Sequence, residues 1–333
     1  MQDKKIYILL PLFIIPIILM GLIFVVDRKE KQEILKKLQN QENLIQDVSK
    51  AAEARTEKNA WITPRANPMF VPWRDWNVEE PTVNAKAAIV MEIKNKQDGP
   101  FEEKILFQEN IQKPLPIASL TKLMTALVVA DNMDLNKNIK ITKEAVAQEG
   151  EAGKLVVGEE LPVKTLLYAM LMESSNDAAF ALASDIGVEN FVGLMNAKAK
   201  NLQLKNTSFA NPIGFDDPKN FSTAFDVTKI LEYGLNNKTI AEALKTQSME
   251  TTDMLGKFFH SWKNTNKLLE ALPNVVGGKT GLTNAAGGCV ALAVNNPKND
   301  SKIVSVLLGA EDENKRFEET KKLIDWVFKA YNW

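Results

Sequence analysis

Pro116-Ile117-Ala118-Ser119-Leu120-Thr121-Lys122-Leu123-Met124-Thr125-Ala126 is the stretch on which the reading of this chain turns. A proline followed by an apolar, helix-favouring run places Ser119 at or near a helix N-terminus. The three-residue offset brings Lys122 onto the same face, one turn along. An ammonium that is partly desolvated beside a seryl oxygen loses its proton readily and can then act as a base. Backbone N–H groups at the helix start favour negative charge on or near that oxygen. A chain with eleven serines produces such a pair by chance, so the reading rests on what accompanies it.

Two further stretches do. Met172-Glu173-Ser174-Ser175-Asn176-Asp177 interrupts two apolar helical runs and reads as a loop between helices. Its Ser174 hydroxyl can relay a proton, and its Asn176 carboxamide can donate to and accept from a peptide backbone. The same residue types serve as helix N-caps, a role open to Asn176 or Asp177. Val276-Gly277-Gly278-Lys279-Thr280-Gly281-Leu282-Thr283 places glycines inside a strand, where something approaches the backbone closely. Lys279 and Thr280 offer a cation and a hydroxyl suited to a carboxylate. Gly281 would clear side-chain bulk beside an edge to which a peptide could add as an extra strand.

The order S-x-x-K, S-x-N, K-T-G, each occurring once, is the signature of penicillin-binding proteins and serine β-lactamases. The surroundings resemble one branch, the low-molecular-weight D-alanyl-D-alanine carboxypeptidases of serine peptidase family S11. Ala118–Ala126, Ser175-Asn-Asp-Ala-Ala, Asn211-Pro-Ile-Gly-Phe-Asp216, Ser222-Thr-Ala-Phe-Asp226, Asn264-Thr-Asn-Lys-Leu-Leu269 and Gly278–Thr283 all carry the likeness, which runs from Ala85 to the C-terminus. It implies Ser119 as nucleophile, Lys122 as base and Ser174 as proton relay. It implies Asn176, Lys279, Thr280 and Gly281 at the substrate, and an oxyanion hole from the backbone N–H groups of Ser119 and Leu282. Substrates would be peptidoglycan stem peptides, with β-lactam antibiotics as covalent inhibitors and no cofactor. Isoleucine stands at 213, where relatives often carry histidine. The rival readings are a β-lactamase, for which Glu232-Tyr-Gly-Leu-Asn236 supplies an E-x-x-L-N match, a D,D-endopeptidase, and a non-catalytic peptidoglycan binder.

Composition agrees. With one histidine (His260) and one cysteine (Cys289) among 333 residues, the chain offers too few ligands for an ordinary zinc site. A Ser-His-Asp triad would hang on a single imidazole, and an intramolecular disulfide cannot form. The net charge of −1 leaves no electrostatic footprint for nucleic acid. His260 therefore reads as a bystander and Cys289 as a buried strand residue.

Around this core, Ile6–Val26 is 21 residues without a charge, long enough to span a bilayer. Residues 1–26 are expected to form an uncleaved transmembrane anchor, 27–60 a helical stalk, 61–84 a Pro/Trp-rich linker, and 85–333 the catalytic domain. Lys/Arg counts flanking the apolar run favour a cytoplasmic body. The resemblance implies the reverse, a single-pass bacterial membrane protein with its body outside, where peptidoglycan lies. The expected fold is α+β: an antiparallel sheet from both chain ends, flanked by helices and joined by a mostly helical lobe. Strands are expected at Ala87–Ile93 and Lys104–Gln108, separated by a turn at Asp98-Gly99-Pro100, and at Val275–Thr283, Gly288–Val294 and Ile303–Leu308. Helices are expected at Leu120–Ala130, Val163–Met172, Asp177–Asp185, Val188–Asn201, Ala224–Tyr233 and Phe317–Tyr331.

Overall fold

The computed structural model describes residues 72–94, 102–150 and 154–333, together with Gln32. The chain divides into two compact units, 1–71 and 72–333, and the description below concerns the second. The expected anchor, the stalk apart from Gln32, residues 61–71 of the linker, and the Asp98-Gly99-Pro100 turn lie outside the described residues. Among those residues no single helix is long and apolar enough to cross a membrane.

The strands run in chain order as β1 (Trp73–Arg74), β2 (Ala87–Lys94), β3 (Glu102–Glu109), β4 (Asn138–Lys140), β5 (Glu160–Pro162), β6 (Ser248–Thr252), β7 (Phe259–Lys263), β8 (Val275–Thr283), β9 (Gly287–Asn295), β10 (Lys302–Ala310) and β11 (Tyr331–Asn332). The helices are α1 (Thr121–Asn132), α2 (Lys143–Val146), α3 (Val163–Tyr168), α4 (Asn176–Ile186), α5 (Val188–Asn201), α6 (Ala224–Asn236), α7 (Lys238–Lys245), α8 (Leu268–Ala271) and α9 (Lys315–Ala330). The central sheet is antiparallel throughout, in the order β3-β2-β10-β9-β8. Strands from both chain ends therefore interleave, as expected.

Its middle strands are apolar at nearly every position because both faces are covered. Successive side chains point to opposite faces, so one strand feeds two cores. Ala87, Ile89, Met91 and Ile93 of β2 join the helical lobe, whereas Ala88 and Val90 join a second core. That second core contains Phe317, Leu323, Ile324, Trp326, Val327 and Ala330 of α9. Trp326 packs edge-on against Phe107 at 5.9 Å and Tyr331 at 5.8 Å.

Three departures from expectation have physical causes. Residues 72–84, assigned to the linker, are packed: Trp73 and Arg74 pair with Asn332 and Tyr331, and Val78 and Val83 pack against the second core. Proline limits regular structure there to the two residues of β1 without excluding burial. The helix expected over Val163–Met172 changes after Tyr168 into a wider π-type turn, Ala169–Glu173, which ends at Ser174. The cap of α4 is Ser175, whose Oγ accepts from the Ala178 N–H at 3.0 Å, so Asn176 is left free for other work.

Candidate active site

Ser119 lies on a single 3₁₀ turn, Ala118–Leu120, that leads into α1. The turn packs on β8, an edge strand of the central sheet. Ala118, just before the nucleophile, has φ +48°, a conformation that costs a non-glycine residue about 1–2 kcal/mol. Close neighbours on two sides hold it there. A Cβ on Gly214 would lie 2.2 Å from the Ala118 carbonyl oxygen, and one on Gly281 would lie 3.0 Å from the Ser119 nitrogen. Gly281 thus meets a need beyond the one anticipated: its missing side chain makes room for the turn that carries Ser119. Asn211 fixes the other wall, its Oδ1 accepting from the Gly214 and Phe215 N–H groups at 2.7 and 3.1 Å.

Lys122 is fully buried, and its Nζ sits 2.8 Å from Ser119 Oγ, 2.7 Å from Asn176 Oδ1 and 2.7 Å from the Ile213 carbonyl oxygen. Burial lowers its pKa from the usual lysine range to about 7. Two of the three partners can only accept. A neutral amine gives them its two N–H bonds and turns its lone pair to the Ser119 hydroxyl. Asn176 is oriented in turn by its Nδ2, which donates to the Glu149 carbonyl at 2.6 Å. The residue at 213, an isoleucine, thus contributes through its backbone.

Ser174 adopts φ +67° at the end of the π-type turn. Its Oγ accepts from Lys279 Nζ at 2.9 Å, and Lys279 also donates to the Thr280 carbonyl at 3.0 Å. Lys279 is buried, and its pKa is held well below the usual value by burial first, then by the charges of Lys122 and Arg316. The three sequence stretches therefore converge, with one lysine under each serine.

A cleft of about 480 Å³ opens above them, lined by Ser119, Ser174, Asn176, Thr280, Gly281 and Leu282, and by Glu173, Lys263–Thr265, Lys267, Glu313 and Arg316. Lys122 and Lys279 lie beneath this lining. Three cations line the cleft, Lys263, Lys267 and Arg316, and the one bonded to the K-T-G strand is Arg316, which sequence reasoning missed. Arg316 is the one arginine between Asp75 and Trp333, a signal that could have singled it out. It sits at the start of α9 and donates to the Gly281 carbonyl at 2.7 Å. Thr265 was passed over as well: its Oγ1 meets Thr280 Oγ1 at 2.6 Å, and its N–H donates to the Met172 carbonyl at 3.0 Å. Glu232 is elsewhere, in a separate cavity of about 560 Å³ beside Lys229, and cannot activate water at Ser119. Cys289 is buried in β9, as expected, and its thiol is pushed up to about 11 by burial. Among the described residues no cluster of three metal-ligating side chains occurs.

A serine carried on a strained turn and backed by a buried lysine, at the edge of an antiparallel sheet between two helical layers, defines the DD-peptidase and penicillin-binding class of fold. The sequence model of the D-alanyl-D-alanine carboxypeptidase family, peptidase S11, matches residues 75–312, and the chain belongs to that family. It is 33% identical to the D-alanyl-D-alanine carboxypeptidase DacF of Bacillus subtilis over 74% of this chain and 63% of that one. It is 30% identical to a D-alanyl-D-alanine endopeptidase of Escherichia coli, over 74% of this chain and 78% of that one. The crystal structure of the Streptomyces K15 DD-transpeptidase is similar at a TM-score of 0.69 and 28% identity, covering 76% of this chain and 100% of that one. The chain spans under two thirds of the length of the DacF relative.

Proposed function

We propose that this protein is a serine-type D-Ala-D-Ala carboxypeptidase that removes the terminal D-alanine from peptidoglycan stem peptides and is acylated by β-lactams. The observation that carries the reading is the Lys122 amine, buried, held near neutral pKa and aimed at Ser119 Oγ. Neutral Lys122 takes the Ser119 proton as Oγ attacks the penultimate D-alanine carbonyl. The oxyanion forms at the strained turn, toward the Ser119 and Leu282 N–H groups. The proton passes through Ser174, beside Lys279, to the departing D-alanine nitrogen as the C–N bond breaks. Asn176 holds the substrate amide with the N–H and the lone pair left over from its bonds to Glu149 and Lys122. The terminal carboxylate is held by Thr280 and Arg316, and Lys279 donates from below to Ser174 and the Thr280 carbonyl. Water then cleaves the ester, and the Ser119 hydroxyl is restored.

The apolar stretch 6–26 supports attachment to the bacterial membrane, with the catalytic unit on the side where peptidoglycan lies. The test incubates the protein with a fluorescent penicillin and, separately, with a stem pentapeptide. Covalent labelling that disappears in Ser119→Ala, together with D-alanine release, is expected. Rapid penicillin turnover without D-alanine release would overturn the reading in favour of a β-lactamase, and no labelling at all in favour of a non-catalytic binder. Cleavage of cross-linked dimers in preference to pentapeptide would make it an endopeptidase.

A further inference from the structure

His260, to which the sequence reading assigns no role, is buried on β7, and its Nε2 meets Glu159 Oε2 at 2.6 Å. Both groups are almost completely enclosed, Glu159 at 1% exposure and His260 at 6%. A buried carboxylate is kept only when it is paired and hydrogen-bonded, so this contact has to be made for the segment to close. The imidazole ring stacks on Trp262 at 5.2 Å, which fixes its plane. Glu159 uses its other oxygen to accept from the Val156 N–H at 2.6 Å. One residue earlier, the Leu155 N–H donates to Asp177 Oδ2 at 3.3 Å. Asp177 is buried in the first turn of α4, directly after Asn176. Burial raises its pKa to about 6, with Glu159 among the smaller contributors.

The pair therefore joins two walls of the cleft. On one side, Glu159, Leu155 and Asp177 lead to the turn of α4 that presents Asn176 to Lys122. On the other, the chain runs from His260 through the end of β7 at Lys263 to Asn264 and Thr265, and Thr265 reaches Thr280. We propose that His260 and Glu159 are positioning residues for the reaction: their contact sets Asn176 and Thr280 at the spacing the acylation geometry requires. This rests on the acyl-transfer reading above. The backbone bond from the Met254 N–H to the Glu160 carbonyl, 3.1 Å, ties the same two segments independently. Loss of the side-chain pair should therefore loosen the spacing without releasing the hairpin.

The test compares wild type with His260→Phe, His260→Gln, Glu159→Gln and the double variant Glu159→Gln/His260→Phe, in the full chain. Penicillin concentration is varied, so that the acylation rate at saturation is separated from the half-saturating concentration. Misplacement of reacting groups is expected to lower the saturating rate about tenfold in His260→Phe and leave half-saturation within twofold. His260→Gln, which keeps an N–H donor for Glu159, should recover most of the rate. The double variant should be no slower than the worse single one, because the two act as a unit. Amide hydrogen exchange gives a readout that does not depend on activity: protection at residues 154–156 and 176–179 should fall in His260→Phe. An unchanged saturating rate in folded His260→Phe, additive effects in the double variant, or exchange unchanged at 176–179 overturns the proposal. A wild type that is not acylated overturns the functional reading instead, and the exchange experiment still decides whether the two walls are coupled.

Discussion

Lys122 is the residue whose protonation should govern the rate, and the structure gives that expectation a magnitude. With a pKa of about 7, the neutral amine rises from about 9% of molecules at pH 6 to about 91% at pH 8. The acylation rate should climb about tenfold across that interval and level off above it. An ordinary lysine at 10.5 would behave differently, with only about 0.3% neutral at pH 8 and a rate still rising tenfold per pH unit. The perturbation that isolates the effect is Lys122→Arg, which keeps a cation and hydrogen-bond donors but does not deprotonate in this range. Losing the base should cut acylation by about 100-fold or more and abolish the step near pH 7. The assay is stopped-flow or quenched labelling with a fluorescent penicillin from pH 5.5 to 9.5, alongside a thermal melt to confirm folding. A wild-type rate that keeps rising in proportion to hydroxide through pH 9 would refute the reasoning. So would a folded Lys122→Arg protein retaining more than a tenth of the rate.

Further expectations follow from packing and linkage. Gly214→Ala forces a Cβ to 2.2 Å from the Ala118 carbonyl oxygen at φ +92°, so Ser119 should shift. Acylation is expected to fall at least tenfold and stability by about 1–3 kcal/mol. Gly256→Ala, strained at φ +66° but with open space around it, should cost stability without touching acylation. Cys289→Ser should retain acylation and lose about 1–3 kcal/mol for a buried hydroxyl, read from denaturant midpoints. The wild-type thiol should resist alkylation at pH 8, because it is enclosed and its pKa is about 11. Lys122 also makes a stability signature: its folded pKa of about 7 lies below its unfolded value, so the unfolded chain holds more protons between about pH 7 and 10.5. Its contribution to stability therefore rises with pH in that window, by about 1.4 kcal/mol per unit. The unfolding free energy of wild type minus that of Lys122→Met should rise accordingly with pH, and a flat difference would contradict the burial argument.

What could be read from the sequence was what short-range geometry decides. Ser119 and Lys122 are three residues apart on one helix, so their meeting follows from helical pitch. Val188–Asn201 and Val275–Thr283 have the expected boundaries because glycine precedes the one and polar residues bracket the other. Long-range arrangements were hidden. Arg316 reaches the cleft because α9 folds back over the sheet, a contact between residues 35 apart at Gly281. Gly281 looked like room for a peptide, since nothing local reveals that the Ser119 turn presses against it from 162 positions earlier. The β6–β7 hairpin alternates in burial but not clearly in residue type: Met249 is the one apolar side chain of β6, Phe259 opens β7 on the exposed face, and the connecting loop carries exposed Met254 and Leu255. His260 looked idle because its partner, Glu159, lies about a hundred residues away.

The two lysines beneath the cleft explain why one base and one relay suffice. Both are buried, and the charge of Lys122 is among the causes that hold the Lys279 pKa down, so protonating both at once is costly. On the proposed mechanism, Lys122 becomes cationic at the moment Ser119 is acylated. That charge is tolerated while Asn176 Oδ1 and the Ile213 carbonyl accept from it, and it disfavours a second charge on Lys279. The proton then moves on to the leaving nitrogen through Ser174, whose Oγ accepts from Lys279 Nζ at 2.9 Å. Lys279 therefore orients the relay as a hydrogen-bond donor, a role that a neutral amine fills. A residue without a donor at 279 would leave the base able to accept the proton and the relay unheld. The step that suffers would be departure of D-alanine more than attack on its carbonyl.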